Sequence, residues 1–337
     1  MGLAIGIVGL PNAGKSTLFN ALLKRQVAQV AEYPFTTIEP NTGVVEVEDK
    51  RLSKVATALG IENKVPAAIK FYDIAGLVKG AAKGEGLGNQ FLSHIREVDA
   101  ILHLVRGFGV NVDPVLDIAT VNLELVLSDF EVVAKNEKTS DKEREIVLQK
   151  LKQVLGEGRL AKETNLDKEE QGLIKDLNLL TLKPAFYALN LEESAIKGEM
   201  NFKDLPEVMI ISAKLESEIN DLAKEDQKEY LKTFGLKEPL LSRLIKECFK
   251  LLNLITFLTV KGGQQAQAWP IKKGSTALTA AGAVHSDFKE KFIKAEVIDW
   301  QELIKFSSFS KAREQGKVRT AGKDYLVLDG EVLEFKI

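Results

Sequence analysis

The sequence predicts an α/β protein whose main domain contains a mostly parallel sheet, interrupted by a helical segment and followed by a smaller domain rich in strands. Three observations predict this class: continuous apolar runs of strand length, a glycine-rich loop between the first run and a helix, and two changes of composition along the chain. Continuous apolar runs are typical of parallel strands that are buried on both faces. The runs are Leu3–Leu10, Ala67–Ile74, Ala100–Val105, Pro184–Leu189 and Glu207–Ser212.

The composition is that of an ordinary globular protein. The 337 residues are 45% hydrophobic and 28% charged, with a formal net charge of -2, so no global basic field indicates a nucleic-acid binder. The single cysteine, Cys248, excludes a disulfide framework and a cysteine-based zinc site. No apolar run approaches the ~18–20 residues of a membrane span, and the first residues lack the basic region and cleavage site of a signal peptide. We therefore expect a cytoplasmic protein with several domains and no membrane partner.

The chain changes character over residues 122–179. Positions 122 to 178 hold ten Lys and Arg, thirteen Asp and Glu, and a single aromatic residue, Phe130. Apolar residues recur there every three or four positions, which is typical of helices, and Gly156 and Gly158 interrupt the pattern. The segment predicts a helical hairpin that projects as a coiled-coil arm, with a pair of solvated surface helices as the alternative. The main domain then comprises residues 1–121 and 180–253.

Residues 254–337 predict a separate small domain. Short strand candidates alternate there with turns that contain glycine. Lys and Arg exceed Asp and Glu by three in this segment, whereas residues 1–253 carry a net charge of −5. The excess is too small to predict a nucleic-acid-binding face. The strand candidates are Leu254–Val260, Gln267–Ile271, Ala295–Ile298, Asp324–Leu328 and Val332–Ile337.

The segment Gly9–Thr17 matches the pattern G-x-x-x-x-G-K-[ST] and lies between the first predicted strand and a predicted helix, Ser16–Lys24. In such a loop the backbone N–H groups and the helix N-terminus surround a phosphate. Lys15 then contacts the β- and γ-phosphates, and the hydroxyl of Ser16 binds Mg²⁺. The chain is therefore predicted to bind a nucleoside triphosphate. The nucleotide-binding residues predicted in this loop are Asn12, Ala13, Gly14, Lys15, Ser16 and Thr17.

A second segment that would face the phosphates begins where the Ala67–Ile74 run ends. Asp73 opens a D-x-x-G pattern that closes at Gly76. The carboxylate can hold Mg²⁺ through water, and the N–H of Gly76 can meet the γ-phosphate. Five glycines between Gly76 and Gly88 favour a loop that orders only when the γ-phosphate is present, although an ordinary flexible loop has the same composition.

The stretch Tyr33–Asn41 offers a threonine that could complete the magnesium shell, and Thr37 is preferred over Thr36. The predicted metal ligands are thus Ser16, Thr37 and Asp73. The residues assigned to catalysis are Lys15, Asp73 and Gly76.

The residue that follows Gly76 is Leu77, where the common GTPase pattern places a glutamine that orients the attacking water. Leucine cannot do this, so another group positions the water, or hydrolysis is slow and a partner completes the site. Of the three histidines, His103 lies in an apolar run and is expected to be a packed residue. His94 is the more plausible candidate, and His285 is far away in the tail.

A guanine pocket normally needs N-K-x-D, and this pattern is absent; Asn63–Pro66 fails at its last position. At the corresponding place, after the Pro184–Leu189 run, stands Asn190–Glu193. Glu193 is one methylene longer than Asp, and adenine has no N1–H for a buried carboxylate, so recognition of adenine by backbone groups near Leu191 is favoured. ATP is therefore predicted over GTP. The predicted base-side residues are Asn190, Leu191 and Glu193, with Ser212, Ala213 and Lys214 in the last loop.

These segments resemble one family in particular, the YchF/Obg-like ATPases of the translation-factor class of P-loop proteins. The resemblance rests on Gly9–Thr17, Tyr33–Asn41, the string Asp73–Asn89 and Asn190–Glu193. In the tail, the stretches Ala277–Trp300 and Ala312–Leu333 are similar to the TGS domain of that family, a small β-grasp-like module. The resemblance covers essentially the whole chain.

The resemblance implies a P-loop NTPase G domain with an inserted coiled-coil arm and a C-terminal TGS domain. It also implies a slow ATPase that uses Mg²⁺ and potassium and prefers ATP over GTP. The implied partners are the ribosome, as a whole or through its large subunit, and ribosomal RNA, with no DNA sequence specificity. One departure concerns Gly109–Asn111, because the family usually carries a longer loop with a histidine there. Strong intrinsic hydrolysis is therefore not expected.

Three other functions remain alternatives at this stage. A conventional Obg-type GTPase has the same fold, but Asn190–Glu193 argues against it. A small-molecule kinase needs an acceptor pocket lined with arginine, and the sequence clusters no arginines in that way. An RNA-binding regulator with a structural nucleotide would bind ribosomes without turning over ATP faster in their presence.

Overall fold

The computed structural model describes residues 3–25, 41–74, 87–197 and 205–337, with the backbone alone for residues 87–91. Its strands form two six-stranded sheets. The strands are β1 (Ala4–Val8), β2 (Thr42–Val47), β3 (Asn63–Val65), β4 (Ala67–Asp73), β5 (Ala100–Arg106), β6 (Ala185–Asn190), β7 (Val208–Ile211), β8 (Leu254–Lys261), β9 (Gln265–Lys272), β10 (Lys294–Asp299), β11 (Arg319–Ala321) and β12 (Glu331–Lys336). The first sheet has the order β2-β4-β1-β5-β6-β7 and the second β11-β10-β12-β8-β9-β3.

The helices lie between these strands in the alternation that the sequence predicts for an α/β domain. Short 3-10 turns occur as well, mainly within residues 161–195. The helices are α1 (Lys15–Leu23), α2 (Lys50–Leu59), α3 (Leu87–Glu97), α4 (Pro114–Asn136), α5 (Lys142–Gly156), α6 (Lys168–Leu173), α7 (Ala213–Asp221), α8 (Lys224–Thr233), α9 (Leu240–Leu251), α10 (Ala277–Val284), α11 (Ser286–Glu290), α12 (Trp300–Phe306) and α13 (Phe309–Glu314). Among the residues described, no helix combines the length and the apolar character needed to cross a membrane.

The first sheet is parallel except for its edge strand β2, which runs antiparallel to β4. The five predicted apolar runs form β1, β4, β5, β6 and β7, so this part of the prediction is confirmed. β1 and β5 are buried almost throughout, as expected for central strands covered by helices on both faces. The carboxyl ends of the parallel strands meet at one edge of the sheet, where ligands bind in open α/β folds.

The helical insertion is a hairpin of α4 and α5 followed by shorter helices. The turn between the long helices lies at residues 137–141, where Asp141 caps α5 by accepting hydrogen bonds from the N–H groups of Glu143 and Arg144. Gly156 and Gly158 interrupt the helical pattern as predicted, although they do not form the turn between the two long helices. These glycines end the second long helix, and the predicted domain boundary at residue 121 lies inside α4.

A buried carboxylate fixes the base of the arm to the main domain. Asp129, on α4, is fully buried and accepts hydrogen bonds from the N–H groups of Leu180 and Thr181 and from the Thr181 hydroxyl, at 2.7–2.8 Å. Arg96, at the end of α3, lies 3.8 Å from the same carboxylate and donates to the hydroxyl of Ser128. The arm therefore joins the body through a bonded polar centre as well as through apolar packing.

The second sheet belongs to the C-terminal segment but includes one strand from the main domain. β3 pairs in parallel with β9, from Asn63 with Gln265 to Val65 with Gln267. Arg51, at the start of α2, donates two hydrogen bonds to Asp329, at 2.7 and 3.1 Å. The two domains are thus joined by a shared sheet and by an ion pair.

Four of the five predicted tail strands are confirmed as β8, β9, β10 and β12. The fifth, Asp324–Leu328, is wrong, since it contains only an isolated bridge between Leu326 and Thr276. The side chain of Tyr325 in this segment instead donates to buried Glu331 at 2.6 Å. Val327 is buried in the core of the second sheet, whereas Leu326 and Leu328 are more than half exposed, so the apolar run here does not correspond to a strand.

Candidate functional site

The loop between β1 and α1 has the conformation that its glycines allow. Gly14 precedes the helix with φ 92°, in the left-handed region that side chains disfavour. A Cβ atom on Gly14 would also lie 2.3 Å from Nδ2 of Asn190. The close approach of the loop to the end of β6 therefore requires glycine here for two separate reasons.

Lys15 folds back over this loop. Its Nζ donates to the carbonyl oxygens of Gly9, at 3.1 Å, and Leu10, at 2.9 Å, and the residue is only 7% exposed. Burial lowers the pKa of the Lys15 ammonium, and the Asp73 carboxylate opposes this shift. The ammonium group is thus held at the centre of the loop by bonds that leave it able to turn toward a phosphate.

Ser16 and Asp73 come together although 57 positions separate them in the chain. The hydroxyl of Ser16, in the first turn of α1, lies 3.4 Å from Oδ2 of Asp73 at the end of β4. Burial raises the pKa of Asp73, while Lys15 and the Ser16 hydrogen bond oppose the shift. Hydroxyl and carboxylate oxygens are the ligands that Mg²⁺ prefers, so this pair fits a magnesium ion. Thr37, Gly76 and Leu77 lie outside the described residues.

A cavity of about 620 Å³ opens beside the phosphate loop, on the side of the predicted base. Its lining joins four separate segments of the chain, which meet at the carboxyl edge of the sheet. The lining residues are Gly14, Thr17, Phe108, Asn190, Leu191, Glu192, Glu193, Ser194, Ala213 and Lys214. Most of the predicted base-side residues therefore share one cavity.

Asn190 connects the parts of this cavity. Its Nδ2 donates to the carbonyl of Ala13 at 2.9 Å, and its Oδ1 accepts from the N–H of Ala213 at 2.9 Å. The side chain is 4% exposed, so its amide is committed to these two protein bonds. Ser212 lies behind the cavity, where it caps α7 through the N–H of Leu215, and it is absent from the lining.

Glu193 and Lys214 face each other across the cavity. Nζ of Lys214 lies 3.0 Å from Oε1 of Glu193, and this contact raises the pKa of Lys214. Lys214 is 74% exposed in its side chain, whereas that of Glu193 is largely covered. Leu191 is buried, and its N–H donates to the carbonyl of Ile211 at 2.8 Å. Two residues of the motif thus have different surroundings: Leu191 forms part of the buried wall of the cavity, and Glu193 lies at its rim in contact with Lys214.

Three residues of the cavity lining, Phe108, Glu192 and Ser194, were not among the predicted site residues. Phe108 follows β5 and lines the cavity beside Leu191 and Glu192. Aromatic rings in such cavities provide flat apolar surface for a base. The available signal was its position, two residues after the end of a parallel strand, where ligand-binding loops of α/β folds begin.

The three histidines take different places. His103 is buried in β5, opposite Val8 of β1, and its ring lies 5.3 Å from that of Tyr187. Burial, with a smaller effect of Lys15, lowers the pKa of His103 to about 3. The expectation of a packed residue is confirmed. His94 is exposed on α3, and His285 caps α11 by accepting from the N–H of Asp287.

Two family models match the chain. Residues 4–150 match a model described as a 50S ribosome-binding GTPase. Residues 254–337 match the model of a YchF GTPase C-terminal domain, which is described as a protein of unknown function. The first match spans β1 to β5, α4 and part of α5, and the second spans β8 to β12.

Relatives match over the full length. The Ribosome-binding ATPase YchF of Bacillus subtilis is 44% identical over 365 residues, covering 100% of this chain and 99% of the relative. The protein of the same name from Haemophilus influenzae is 44% identical over 362 residues, covering 100% and 99%. The structure of the Schizosaccharomyces pombe YchF GTPase superposes with a TM-score of 0.86 at 32% identity, covering 99% of this chain and 98% of the other. The chain therefore belongs to the YchF family of P-loop nucleoside triphosphatases.

Proposed function

We propose that the chain is a ribosome-associated ATPase that binds ATP, hydrolyses it slowly and changes its affinity for the ribosome with the state of the nucleotide. The observation that carries the proposal is the phosphate loop with Lys15 at its centre, next to a base cavity whose rim carries Glu193. The relatives named ribosome-binding ATPase support the ribosome as partner, because they are similar over the whole chain.

The phosphates of ATP occupy the loop between β1 and α1. Backbone N–H groups of residues 12–17 bind the β-phosphate at the N-terminus of α1, where the helix dipole favours negative charge. Lys15 then exchanges its bonds to the carbonyls of Gly9 and Leu10 for bonds to phosphate oxygens. Its charge stabilises the negative charge that develops as the terminal phosphoryl group transfers.

Ser16 and Asp73 are the residues that would hold Mg²⁺, and Thr37 is the further ligand that the sequence predicts. When bound, the ion neutralises charge on the β- and γ-phosphates. The raised pKa of Asp73 reflects a carboxylate that is partly withdrawn from water, and a bound cation would oppose this shift and favour the ionised form, as Lys15 does. The catalytic assignment of Gly76 and the use of potassium remain predictions.

The base is adenine. Guanine recognition needs a carboxylate that accepts from N1–H and from the exocyclic amine, yet Glu193 is engaged by Lys214 at 3.0 Å. Releasing Glu193 would leave Lys214 without this partner and would place a longer side chain against the base. Adenine requires no hydrogen bond to this carboxylate, and Phe108 and Leu191 provide apolar surface for the adenine ring.

Hydrolysis by the free chain is slow. Leu77 cannot orient a water molecule, and residues 109–111 contain no histidine. His103 is close to the phosphate loop in the sheet, but it is buried and has a pKa of about 3, so it is a poor proton acceptor. A partner that completes the site would therefore raise the rate.

That partner is the ribosome. The description of the matching G-domain model as 50S ribosome-binding supports the large subunit, and ribosomal RNA is the component that we expect the chain to contact. A ribosome-bound chain would be cytoplasmic. If the ATP form binds ribosomes more tightly than the ADP form, ribosomes must tighten ATP binding relative to ADP binding by the same factor.

The test measures binding and turnover in the same preparation. Affinities for ATP and GTP are measured by competition, and ATP hydrolysis is measured with and without 70S ribosomes and separated subunits. We expect several-fold tighter binding of ATP than of GTP and faster turnover with ribosomes. Equal affinities would contradict the base assignment. Ribosome binding without any rise in turnover would identify an RNA-binding regulator with a structural nucleotide.

A further inference from the structure

The shorter helices of the inserted arm surround a second cavity, whose lining shares no residue with that of the base cavity. It has a volume of about 780 Å³ and is formed within residues 161–183. We call it the lysine cavity, because four lysines surround its apolar floor. The lysines are Lys162, Lys168, Lys175 and Lys183, and the floor includes Ile174 and Leu179.

The four lysines fall into two groups. Lys183 is structural, since its Nζ donates to the carbonyls of Arg96 and Val98 and to Oδ1 of Asn178. The other three are exposed. In the described part of the chain, none of these three lies within 4.0 Å of a carboxylate, and the lining contains no Asp or Glu.

Four of the five carboxylates of the same segment are engaged elsewhere, and the fifth, Glu169, is exposed and absent from the lining of the cavity. Asp176 binds Arg144 through two hydrogen bonds of 2.8–2.9 Å, Glu170 pairs with Lys150, and Glu163 pairs with Arg159. Asp167 caps α6 by accepting from the N–H of Glu170. The segment is therefore not basic in composition, yet its positive and negative charges are separated, and the positive ones face the cavity.

This arrangement fits a polyanion. Three exposed ammonium groups around one concavity repel each other, and a chain of phosphates relieves that repulsion and releases its own counterions. Amide groups of Asn165, Gln171 and Asn178 in the lining can add hydrogen bonds to sugars and phosphates. The floor is apolar, so riboses or bases can cover it, whereas a free inorganic anion would leave it open to water.

The surface is held in shape. Asn178 has a left-handed backbone conformation with φ 46°, and its Nδ2 donates to the carbonyl of Arg96 at 2.7 Å. Arg96 in turn donates to the carbonyl of Asn178 at 3.1 Å. The rim is thus bonded to the end of α3, next to the buried carboxylate of Asp129, so little ordering is needed on binding.

We propose that the lysine cavity binds the sugar–phosphate backbone of RNA, and that Lys162, Lys168 and Lys175 make the phosphate contacts. The identification of that RNA as ribosomal rests on the proposed function. The contacts are to backbone, so they position the arm without reading sequence.

The test replaces the three exposed lysines together by glutamine: Lys162→Gln, Lys168→Gln and Lys175→Gln. The matched control changes three exposed lysines of the main domain that also lack a carboxylate partner among the described residues: Lys228→Gln, Lys232→Gln and Lys237→Gln. Binding of full-length protein to 70S ribosomes and to purified ribosomal RNA is measured between 50 and 300 mM salt (roughly the range in which phosphate contacts are lost).

We expect the cavity variant to bind both ligands more weakly at low salt and the control to bind like the parent. The slope of log affinity against log salt should become shallower by about 2–3 in the cavity variant, since each lost phosphate contact contributes about 0.7–0.9. Parent-like affinity and slope in the cavity variant would overturn the inference. If the unsubstituted protein binds RNA through these lysines but does not bind ribosomes, the proposed function is contradicted and the assignment of the lysine cavity still holds.

A separate crosslinking experiment identifies whether the partner of the lysine cavity is RNA or protein. Cys248 is buried and burial raises the pKa of its thiol above the ordinary value, so a cysteine introduced by Gln171→Cys is the one that reacts with a photoactivatable label. We expect the label on ribosome-bound protein to crosslink to RNA. Crosslinks to ribosomal proteins alone would overturn the inference in favour of an acidic protein surface.

Discussion

The ammonium group of Lys214 lies 3.0 Å from a carboxylate oxygen of Glu193, across the mouth of the cavity next to the phosphate loop. Lys214 comes from the start of α7 and Glu193 from the turn after β6, so the contact closes one side of the cavity between two loops. An exposed ion pair of this kind contributes little to stability. The ion pair instead affects which base can bind, because the Glu193 carboxylate that a guanine would need already contacts Lys214.

Base choice should therefore depend on the length of this side chain. Glu193→Asp shortens the carboxylate by one methylene, weakens its contact with Lys214 and leaves it free to accept from guanine. We expect GTP affinity relative to ATP to rise by about tenfold, the value of one charge-assisted hydrogen bond. Competition binding with both nucleotides measures the ratio. Glu225→Asp, at an exposed position of α8 outside the cavity, is the control, and an unchanged ratio in Glu193→Asp would contradict the role of residue 193.

Nucleotide binding should depend on Lys15 far more than folding does. Lys15→Ala removes the ammonium that would meet the phosphates, and the carbonyls of Gly9 and Leu10 that it leaves can accept from water. ATP affinity should fall about 10- to 100-fold, while thermal unfolding without nucleotide stays close to that of the parent. Titration calorimetry and a thermal scan give both values. Lys24→Ala, at the exposed end of the same helix region, is the control, and parental affinity in Lys15→Ala would refute the phosphate-loop assignment.

The base of the arm should be sensitive to the loss of one carboxylate. Asp129→Ala leaves the N–H groups of Leu180 and Thr181 and the hydroxyl of Thr181 buried without an acceptor. We expect a loss of about 3 kcal/mol in the free energy of unfolding of the arm and faster proteolysis within residues 157–182. Thr181→Val, which removes only the hydroxyl, should cost about 1 kcal/mol. Equal stability of Asp129→Ala and the parent in urea would show that the carboxylate is dispensable.

Stability should depend on pH through His103. Its pKa is about 3 in the folded chain, against an ordinary value of 6.5, so between these pH values the unfolded chain binds a proton that the folded chain does not. Stability from this group is complete above pH 6.5 and is lost as the pH falls, by about 1.4 kcal/mol for each pH unit. Urea unfolding at pH 7.5, 6.0 and 5.0 should show a smaller loss in His103→Leu than in the parent. Parallel losses in both proteins would mean that His103 is not the titrating group.

The elements that could be predicted from the sequence are those whose signal is local. The parallel strands of the main sheet, such as β1 and β5, have continuous apolar runs. In the loop Gly9–Thr17, the spacing of the glycines, Lys15 and Ser16 is specific to phosphate-binding loops. Four tail strands follow from their alternation and turns in the same way. The local pattern failed at Asp324–Leu328, where Val327 is buried in the core, Leu326 and Leu328 are exposed, and the segment joins no sheet.

The sequence by itself determined the α/β class, the phosphate loop, the unusual base motif and the family resemblance, because each depends on residue types at fixed short spacings. Only the tertiary structure decided that Asn190 uses its amide to join Ala13 to Ala213, that Glu193 pairs with Lys214, and that β3 completes the C-terminal sheet. It also showed that the lysines of residues 161–183 line one cavity while most carboxylates of the same segment are engaged elsewhere. These relationships join positions that are far apart in the chain, and their distances depend on how strands and loops pack, which no periodicity along the sequence encodes.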